Sequence, residues 1–373
     1  LFQDQGNQLA IDVAGFSPKE ADDLRRAFSR KNNEDLLKAY RERFSRGAAE
    51  RGVPASVVEK IFQKFSGQYM FPESHAYAFG ITAYQMAWMK FYYPLEFFVA
   101  IFNQQPMGFY NLETLKEDAK RHDVEVLNPD INESDAKCII KDEALLLGFL
   151  TVGGLGGPTA DAIVEARREG PFRSLADAMS RTGLLREALE SLVAAGAFDS
   201  LVPDRRAALW QVGLLYRPVG AQQALPLPVA QDMADLAPMT GWEEMLGEYR
   251  TMGLHPRGHL MAYMRPRLDP EVLPSSRIST LEDGARVTTA GLVIRRQHPG
   301  STDTVFITLE DEFGHTPMMM KPAVFQRYRL VIKEPVLKVH GVVSRREGTM
   351  NIEVEHAEGI SASYALPPSK NWG

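Results

Sequence analysis

Residues Phe71 to Tyr110 read FPESHAYAFGITAYQMAWMKFYYPLEFFVAIFNQQPMGFY, and their imidazole, aromatic and amide side chains recur at helical spacing. From Ser74 to Tyr92 the pattern is apolar on nearly every side, which predicts a buried central helix, and Pro94 opens another. His75 and Phe79 are four apart and share one helical face. Toward the N-terminus, Ser17-Pro18-Lys19-Glu20 has the capping-box form, with Pro18 suited to the first helical position. The helix it starts has Leu24, Ala27 and Phe28 as its apolar stripe. Arg25, Arg26, Arg30 and Lys31 project from its other faces and its end. A second helix, from Glu34 to Arg51, aligns Leu37, Tyr40, Phe44 and Ala48 and stops at Gly52; a third, from Pro54 to Phe65, is closed by Gly67.

Toward the C-terminus, Asn111 caps a short amphipathic helix through His122, and VEVLNPDIN forms an extended connector. In LGFLTVGGLGGPTADAIVEARREG (Leu147 to Gly170), Gly154-Leu155-Gly156 precedes a helix beginning near Pro158 and containing Thr159. That fits a helix-hairpin-helix, whose glycines let backbone amides approach a DNA phosphate while the next helix N-terminus adds positive potential. Such contacts ignore base identity. LLREALESLVAAGAFDSL supplies a second hairpin turning at Ala195-Gly196-Ala197; plain C-capping glycines are the alternative for both. Prolines recur from Pro203 to Pro274, and Gln222 to Pro228 (QQALPLP) reads as a linker. The stretch from Gln231 to Glu248 carries Asp232, Asp235, Glu243, Glu244 and Glu248 without a Lys or Arg, so it faces away from phosphate.

From Arg286 the period becomes two. Strands are expected at Val287–Arg296, Thr304–Glu310, Thr316–Met320, Val336–Ser344 and Met350–His356, with a helix at Ala323–Tyr328 between the third and fourth. This is the element order of an OB-fold. Its cations include Arg286, Arg295, Arg296, His298, Lys321, Arg327, Arg329, Lys338, Arg345 and Arg346, with Phe306 and Phe313 nearby, a set that can hold single strands. A scaffold or protein-contact role is the alternative.

The chain has 373 residues, enough for two to four domains, and a formal net charge of -6, so any nucleic-acid contact must come from local patches. Its single cysteine, Cys138, makes no internal disulfide, and no closely spaced Cys/His set offers zinc ligands, which points to a reducing, cytoplasmic compartment. The opening LFQDQGNQLAIDVAGF is no signal peptide, and no stretch reaches the about 18 uninterrupted apolar residues of a membrane span. Without an initiator methionine, the chain reads as a fragment of something longer.

The FPESHAYAF stretch, together with LRRAFSRK (Leu24 to Lys31), resembles the fingers of the bacterial C-family DNA polymerases, the group of the replicative polymerase III alpha subunit, and most closely its error-prone, mutasome branch. GGLGGPTADAI with VAAGAFDSL, and VFITLEDEFG with VHGVVSRREGTMNIEVE, resemble the paired hairpins and barrel that follow those fingers. The resemblance implies a multidomain α plus β fold. Fingers would span residues 1–110, a connector 111–140, a tandem helix-hairpin-helix domain 141–202, a proline-containing linker with helices 203–280, a five-stranded OB-fold 281–360 and a tail 361–373. It implies a nucleotide pocket of Arg26, Arg30, Lys31, His75 and Phe79, and DNA contacts from Gly154, Gly156, Thr159, Gly196, Arg295, Arg296, Lys321, Arg345 and Arg346. Phe79 stands where replicative members tend to carry tyrosine, and Ser29 where glycine is common.

Gln223, Leu225 and Leu227 sit where replicative relatives carry a sliding-clamp peptide, though its terminal aromatic is missing and a plain linker explains them as well. The implied partners are primer-template DNA, a deoxynucleoside triphosphate, and the sliding clamp and mutasome proteins. The function implied is error-prone DNA synthesis in translesion repair. Mg would be held by palm aspartates, and nothing in the chain resembles the palm's Asp-x-Asp motif. Asp22-Asp23 and Asp311-Glu312, on a helix and in a strand turn, are not metal sites, so the chain alone is expected not to polymerise. A non-catalytic DNA-binding accessory protein or a protein-contacting adaptor is the competing class, separated from it by salt-dependent DNA binding.

Overall fold

The computed structural model describes residues 2–28, 34–65, 71–108, 110–216, 234–299, 304–346, 348–360 and 370–372. The chain divides into two units, Leu1–Tyr92 and Tyr93–Gly373.

The first unit contains helices α1 (Gln3–Ala14), α2 (Pro18–Phe28), α3 (Glu34–Glu50), α4 (Ala55–Phe65) and α5 (Glu73–Tyr92). The capping box forms as the sequence dictates: Ser17 Oγ accepts from the Glu20 amide at 3.2 Å and Glu20 accepts from the Ser17 amide at 2.7 Å. Those bonds hold the Glu20 carboxyl below its usual range. Ala10, Ala14, Phe16, Leu24, Phe44, Ala48, Val58 and Phe62 form the core. Gly47 lets α3 lie against α1, since a Cβ there would stand 1.9 Å from the Ala14 carbonyl oxygen.

One expectation is overturned here. None of the described side chains of α5 is buried; Tyr84 is 73% and Phe91 76% exposed. A helix that is apolar all round calls for a cover, but periodicity does not say where the cover comes from. The core of this unit closes around α1 to α4 without it.

The second unit starts with α6 (Pro94–Asn103) and α7 (Leu112–Lys120), the latter capped by Asn111 Oδ1 on the Thr114 amide at 2.8 Å. Strands β1 (Val126–Leu127), β2 (Ile139–Lys141) and β3 (Ala144–Leu146) make a small sheet in the order β1-β3-β2. Helices α8 (Gly157–Arg167), α9 (Leu175–Thr182), α10 (Arg186–Ala194) and α11 (Arg205–Leu215) pack on it around Phe98, Phe149, Ile163, Phe172, Leu192 and Phe198. Then come α12 (Gly241–Met252), α13 (Leu260–Met264), β4 (Val272–Leu273) and α14 (Ser275–Ile278).

The barrel is built from β5 (Arg286–Gln297), β6 (Val305–Asp311), β7 (Gly314–Met320), α15 (Pro322–Tyr328), β8 (Val336–Arg346) and β9 (Thr349–Gly359). Its order is β5-β6-β7-β9-β8, closed by β8 on β5, with β7 and β9 parallel. This is an OB-fold, and α15 lies between its third and fourth strands as expected. Val293, Ile307, Leu309, Met318, Val339, Ile352 and Val354 fill the barrel core, while Ala290, Leu292 and Ile294 on the other face of β5 pack with α12 and α13 in a second apolar cluster. β4 and β10 (Lys370–Trp372) add to β5 in parallel.

Asp311, in the β6–β7 turn, accepts from the Ser275 amide at 2.7 Å, Phe313 at 3.0 Å and Gly314 at 3.1 Å, and from Arg265 at 3.1 Å. It clips the hairpin to the segment before the barrel. Among the described residues no helix is long and apolar enough to cross a membrane.

Candidate nucleic-acid interface

The first hairpin bend is open. Gly153, Gly154 and Gly156 are exposed while Leu155 between them is buried and anchors the turn. Gly154 has φ +86° with nothing near a hypothetical Cβ, so glycine is required by backbone conformation rather than by space. Gly153 is tied down through its amide to the Thr251 carbonyl of α12 at 2.6 Å. The amides of Gly154, Gly156 and Gly157 have no acceptor among the described residues. They stand at the N-terminus of α8, where the helix dipole adds positive potential. The Thr159 amide bonds the Gly156 carbonyl at 3.1 Å, and its side chain is half-buried at the same end. A tetrahedral anion with several acceptor oxygens is what such a cradle can hold.

The second bend is closed. Gly196 shares the positive φ, +87°, but it is buried, and a Cβ there would stand 2.3 Å from Arg205 Nη2. The neighbouring carbonyls are occupied: Ala195 accepts from Asn128 at 2.8 Å and Ala197 from the Ile131 amide at 2.7 Å. This bend serves the interior, and its backbone does not face solvent.

Around it runs an ionic network for which the sequence carried no signal. Arg205, 1% exposed, bonds Asp199 at 2.8 and 2.7 Å and Glu248 at 2.8 Å, and these carboxylates hold it charged. Burial acts to raise the Glu248 carboxyl, but His255 and Arg205 outweigh it and keep it low. Lys116, fully buried, meets Glu113 at 3.0 Å, Glu117, and the Gly258 carbonyl at 2.6 Å. The Tyr249 hydroxyl donates to Glu113 at 2.7 Å, and burial pushes that phenol up. The acids of α12, expected to face away from phosphate, are paired: Glu243 with Arg206, Glu244 with Arg257 and Glu248 with Arg205.

In the first unit, Phe71, His75 and Phe79 form an aromatic ladder along the start of α5, with ring centroids 4.9 and 4.2 Å apart. Phe79 is 62% exposed. Arg26, on α2, is exposed and pairs with Asp22 at 2.8 Å. The Arg25 hydrogen bond, followed by the charges of Arg25 and Arg26, holds the Asp22 carboxyl low. Arg30 and Lys31 lie outside the described residues, as do Gln223, Leu225 and Leu227.

On the barrel the predicted cations separate. Arg295 is exposed on the outer face of β5, opposite Thr308 and diagonal to the exposed Phe306. Arg296 turns the other way and donates to the Ile332 and Glu334 carbonyls at 2.5 and 2.7 Å. Lys321 pairs with Glu353, and Arg345 donates to the Leu281 carbonyl at 2.9 Å and the Ser279 carbonyl at 2.5 Å. Arg346 is exposed on the β8–β9 hairpin. Among the described residues no group of three His, Cys, Asp or Glu side chains converges to hold a metal ion.

Similarity to known proteins follows the same division. The bacterial DNA polymerase III alpha subunit finger domain matches residues 1–52, and a helix-hairpin-helix motif matches residues 123–208. The error-prone DNA polymerase of Anaeromyxobacter dehalogenans (strain 2CP-C) is 38% identical over 386 residues, covering 99% of this chain and 34% of that protein. Those of Sinorhizobium medicae (strain WSM419) and Nocardia farcinica (strain IFM 10152) are 36% and 35% identical over 98% and 97% of this chain, and 36% and 33% of their own lengths. The chain thus spans about a third of the curated relatives it matches. The alignment runs through 97–99% of the chain, and with fingers, hairpin and OB-fold in sequence the chain is similar, over nearly its whole length, to about a third of the length of bacterial error-prone DNA polymerases.

Proposed function

We propose that this chain is the nucleotide- and DNA-gripping part of an error-prone DNA polymerase that acts in translesion synthesis in the cytoplasm. The observation that carries the reading is the open bend at Gly154 to Gly157, where the amides of Gly154, Gly156 and Gly157 have no acceptor among the described residues and stand at a helix N-terminus. It is a sequence-independent phosphate site for primer-template duplex. The Phe71–His75–Phe79 ladder offers an aromatic surface to an incoming deoxynucleoside triphosphate, with Arg26, Arg30 and Lys31 as hydrogen-bond donors to its phosphates. Arg295 and Phe306 on the outer barrel face, with Arg346 on the β8–β9 hairpin as a further exposed cation, fit a single-stranded template. Lys321 and Arg345 contribute through field more than contact, because each is already paired.

The chemistry that Mg would supply, polarising the reacting phosphate and activating the primer hydroxyl, needs converging carboxylates. Asp22 and Asp311 do not fit that task, since Arg25 and Arg26 hold the first and backbone amides and Arg265 the second. We assign that step to a palm outside these residues. The sliding clamp and mutasome proteins are the partners we infer for the assembled enzyme.

The test is binding of labelled duplex DNA across a salt series. Wild type should lose affinity steeply with salt, and Gly154→Ala with Gly156→Ala should weaken binding on every sequence equally. Unchanged affinity in that variant overturns the hairpin assignment, and salt-independent or absent binding overturns the polymerase reading.

A further inference from the structure

Beside the barrel, on the opposite side of β5 from Arg295 and Phe306, is a cavity of about 480 Å³. Arg296, His298, Phe325, Arg329 and Lys333 line it together with Ile332. That volume lies in the range of small-ligand sites, roughly 300–1,000 Å³. None of its described lining residues is acidic, although the chain as a whole is.

The cavity has a rigid floor and polar lips. The guanidinium of Arg296 bonds the Ile332 and Glu334 carbonyls, which fixes the loop carrying Lys333 to the end of β5. Arg329 and Lys333 are exposed and make no ion pair among the described residues, so both can be neutralised by an incoming anion. The His298 and Phe325 rings pack at a tilt of 39°, centroids 5.4 Å apart, and both line the cavity. The dipole of the short helix α15 ends here with its negative pole, which opposes an anion; two unpaired cations outweigh that partial charge.

Resting on the DNA-binding reading above, we propose that this cavity is a second nucleotide subsite of the barrel. It takes one phosphate of a single strand between Arg329 and Lys333 and stacks the adjoining base on Phe325 and His298. Cation beside aromatic is the combination that grips single strands without reading their sequence. Its position would draw a strand leaving the β5–β6 face around the edge of the barrel.

The experiment uses the full chain, fluorescence anisotropy, and two labelled probes of equal length: oligo-dT and an abasic oligodeoxynucleotide. Phe325→Leu, which keeps the apolar packing on the core side, should weaken oligo-dT at least about fivefold, the lower end of one base-stacking contribution, and leave the abasic strand unchanged. Arg329→Gln with Lys333→Gln should weaken both probes and lower the salt slope by about 0.7, one single-strand phosphate contact. Arg267→Gln with Arg277→Gln, which removes the same charge from exposed residues that neither line the cavity nor belong to the barrel's predicted binding cations, should not lower that slope. Circular dichroism melting confirms that each variant folds.

If the cavity variants track the control on both probes while duplex binding at the hairpin persists, the subsite is refuted and the polymerase reading stands. If Phe325→Leu weakens both probes equally, no base stacks there and the proposal is overturned. If the wild-type chain binds neither duplex nor single strand, both readings fall together.

Discussion

The two hairpin glycines have nearly the same backbone angle and opposite surroundings, so replacing each by alanine sets the proposed phosphate site against a structural turn. At Gly154, φ +86° with nothing near the new Cβ, Gly154→Ala costs only the left-handed strain, roughly 1–2 kcal/mol. At Gly196, φ +87°, the same strain applies, and the new Cβ would stand 2.3 Å from Arg205 Nη2 and 3.0 Å from Asp199 Oδ2. Arg205 cannot swing aside cheaply, because Asp199 and Glu248 hold it in the interior. Displacing it breaks a buried ion pair, worth about 3–5 kcal/mol when one partner is lost. Gly196→Ala should therefore cost roughly 4–7 kcal/mol, a large share of a domain's about 5–15 kcal/mol. Urea unfolding, read by hydrogen exchange in α10 and α11, measures stability; anisotropy with duplex DNA measures binding. Gly154→Ala should lose duplex affinity while staying folded, and Gly196→Ala should lose protection first. The reasoning is refuted if the two variants are equally stable, or if folded Gly196→Ala binds duplex more weakly than Gly154→Ala does.

Lys116→Met should destabilise the second unit by about 3–5 kcal/mol, since Glu113 and Glu117 would be left buried without their cation, whereas combining it with Glu113→Gln and Glu117→Gln should restore much of the loss in urea melts. Asp311→Ala strips an acceptor from Ser275, Phe313, Gly314 and Arg265, so a loss of about 3–5 kcal/mol and faster exchange at the β6–β7 turn are expected. Glu243 is lowered to about 2, chiefly by the Thr240 amide and then by Arg206. Its folded value lies below the unfolded one, so its contribution to the α12 cap is full above about pH 4.5 and disappears as pH falls toward 2. Amide exchange at the start of α12 should rise through that window, and Thr240→Ala should move the midpoint upward.

The barrel was the most legible part of the sequence. Each expected strand lies within a few residues of the observed one, because alternating burial is a direct consequence of a closed sheet. The α2 cap was equally readable, being a local exchange of hydrogen bonds. The β2–β3 hairpin was not: its strands are too short to show a period. Its turn, Asp142-Glu143, has φ 49° and 61°, an I′-like conformation without the glycine that usually marks it. Helix α1 carries no cap signal in the sequence, since no Ser, Thr, Asp or Asn stands before it; Gln5 reaches back to the Phe2 amide instead.

The same limit explains the hairpins and the charged interior. Gly154 and Gly196 look alike along the chain because sequence encodes the turn, which is local. Whether the turn meets solvent depends on Arg205 and on Glu248 in α12, brought in by tertiary packing. Likewise LETLKEDAK reads as a short amphipathic helix, yet its charged residues Glu113, Lys116 and Glu117 are buried because carboxylates, a phenol and an ammonium arrive together from α7, α12 and the Gly258 turn. A charged side chain enters a core only with its counter-charges, and spacing along one helix cannot announce partners more than a hundred residues away. Exposure of α5 is the converse: an apolar pattern states the demand for a cover, and only structure shows whether that demand is met within the same unit. A turn that depends on local backbone, as at Gly154, is therefore readable beforehand. Surroundings that depend on what packs behind a residue, as at Gly196, Arg296 and Arg345, are decided by the fold.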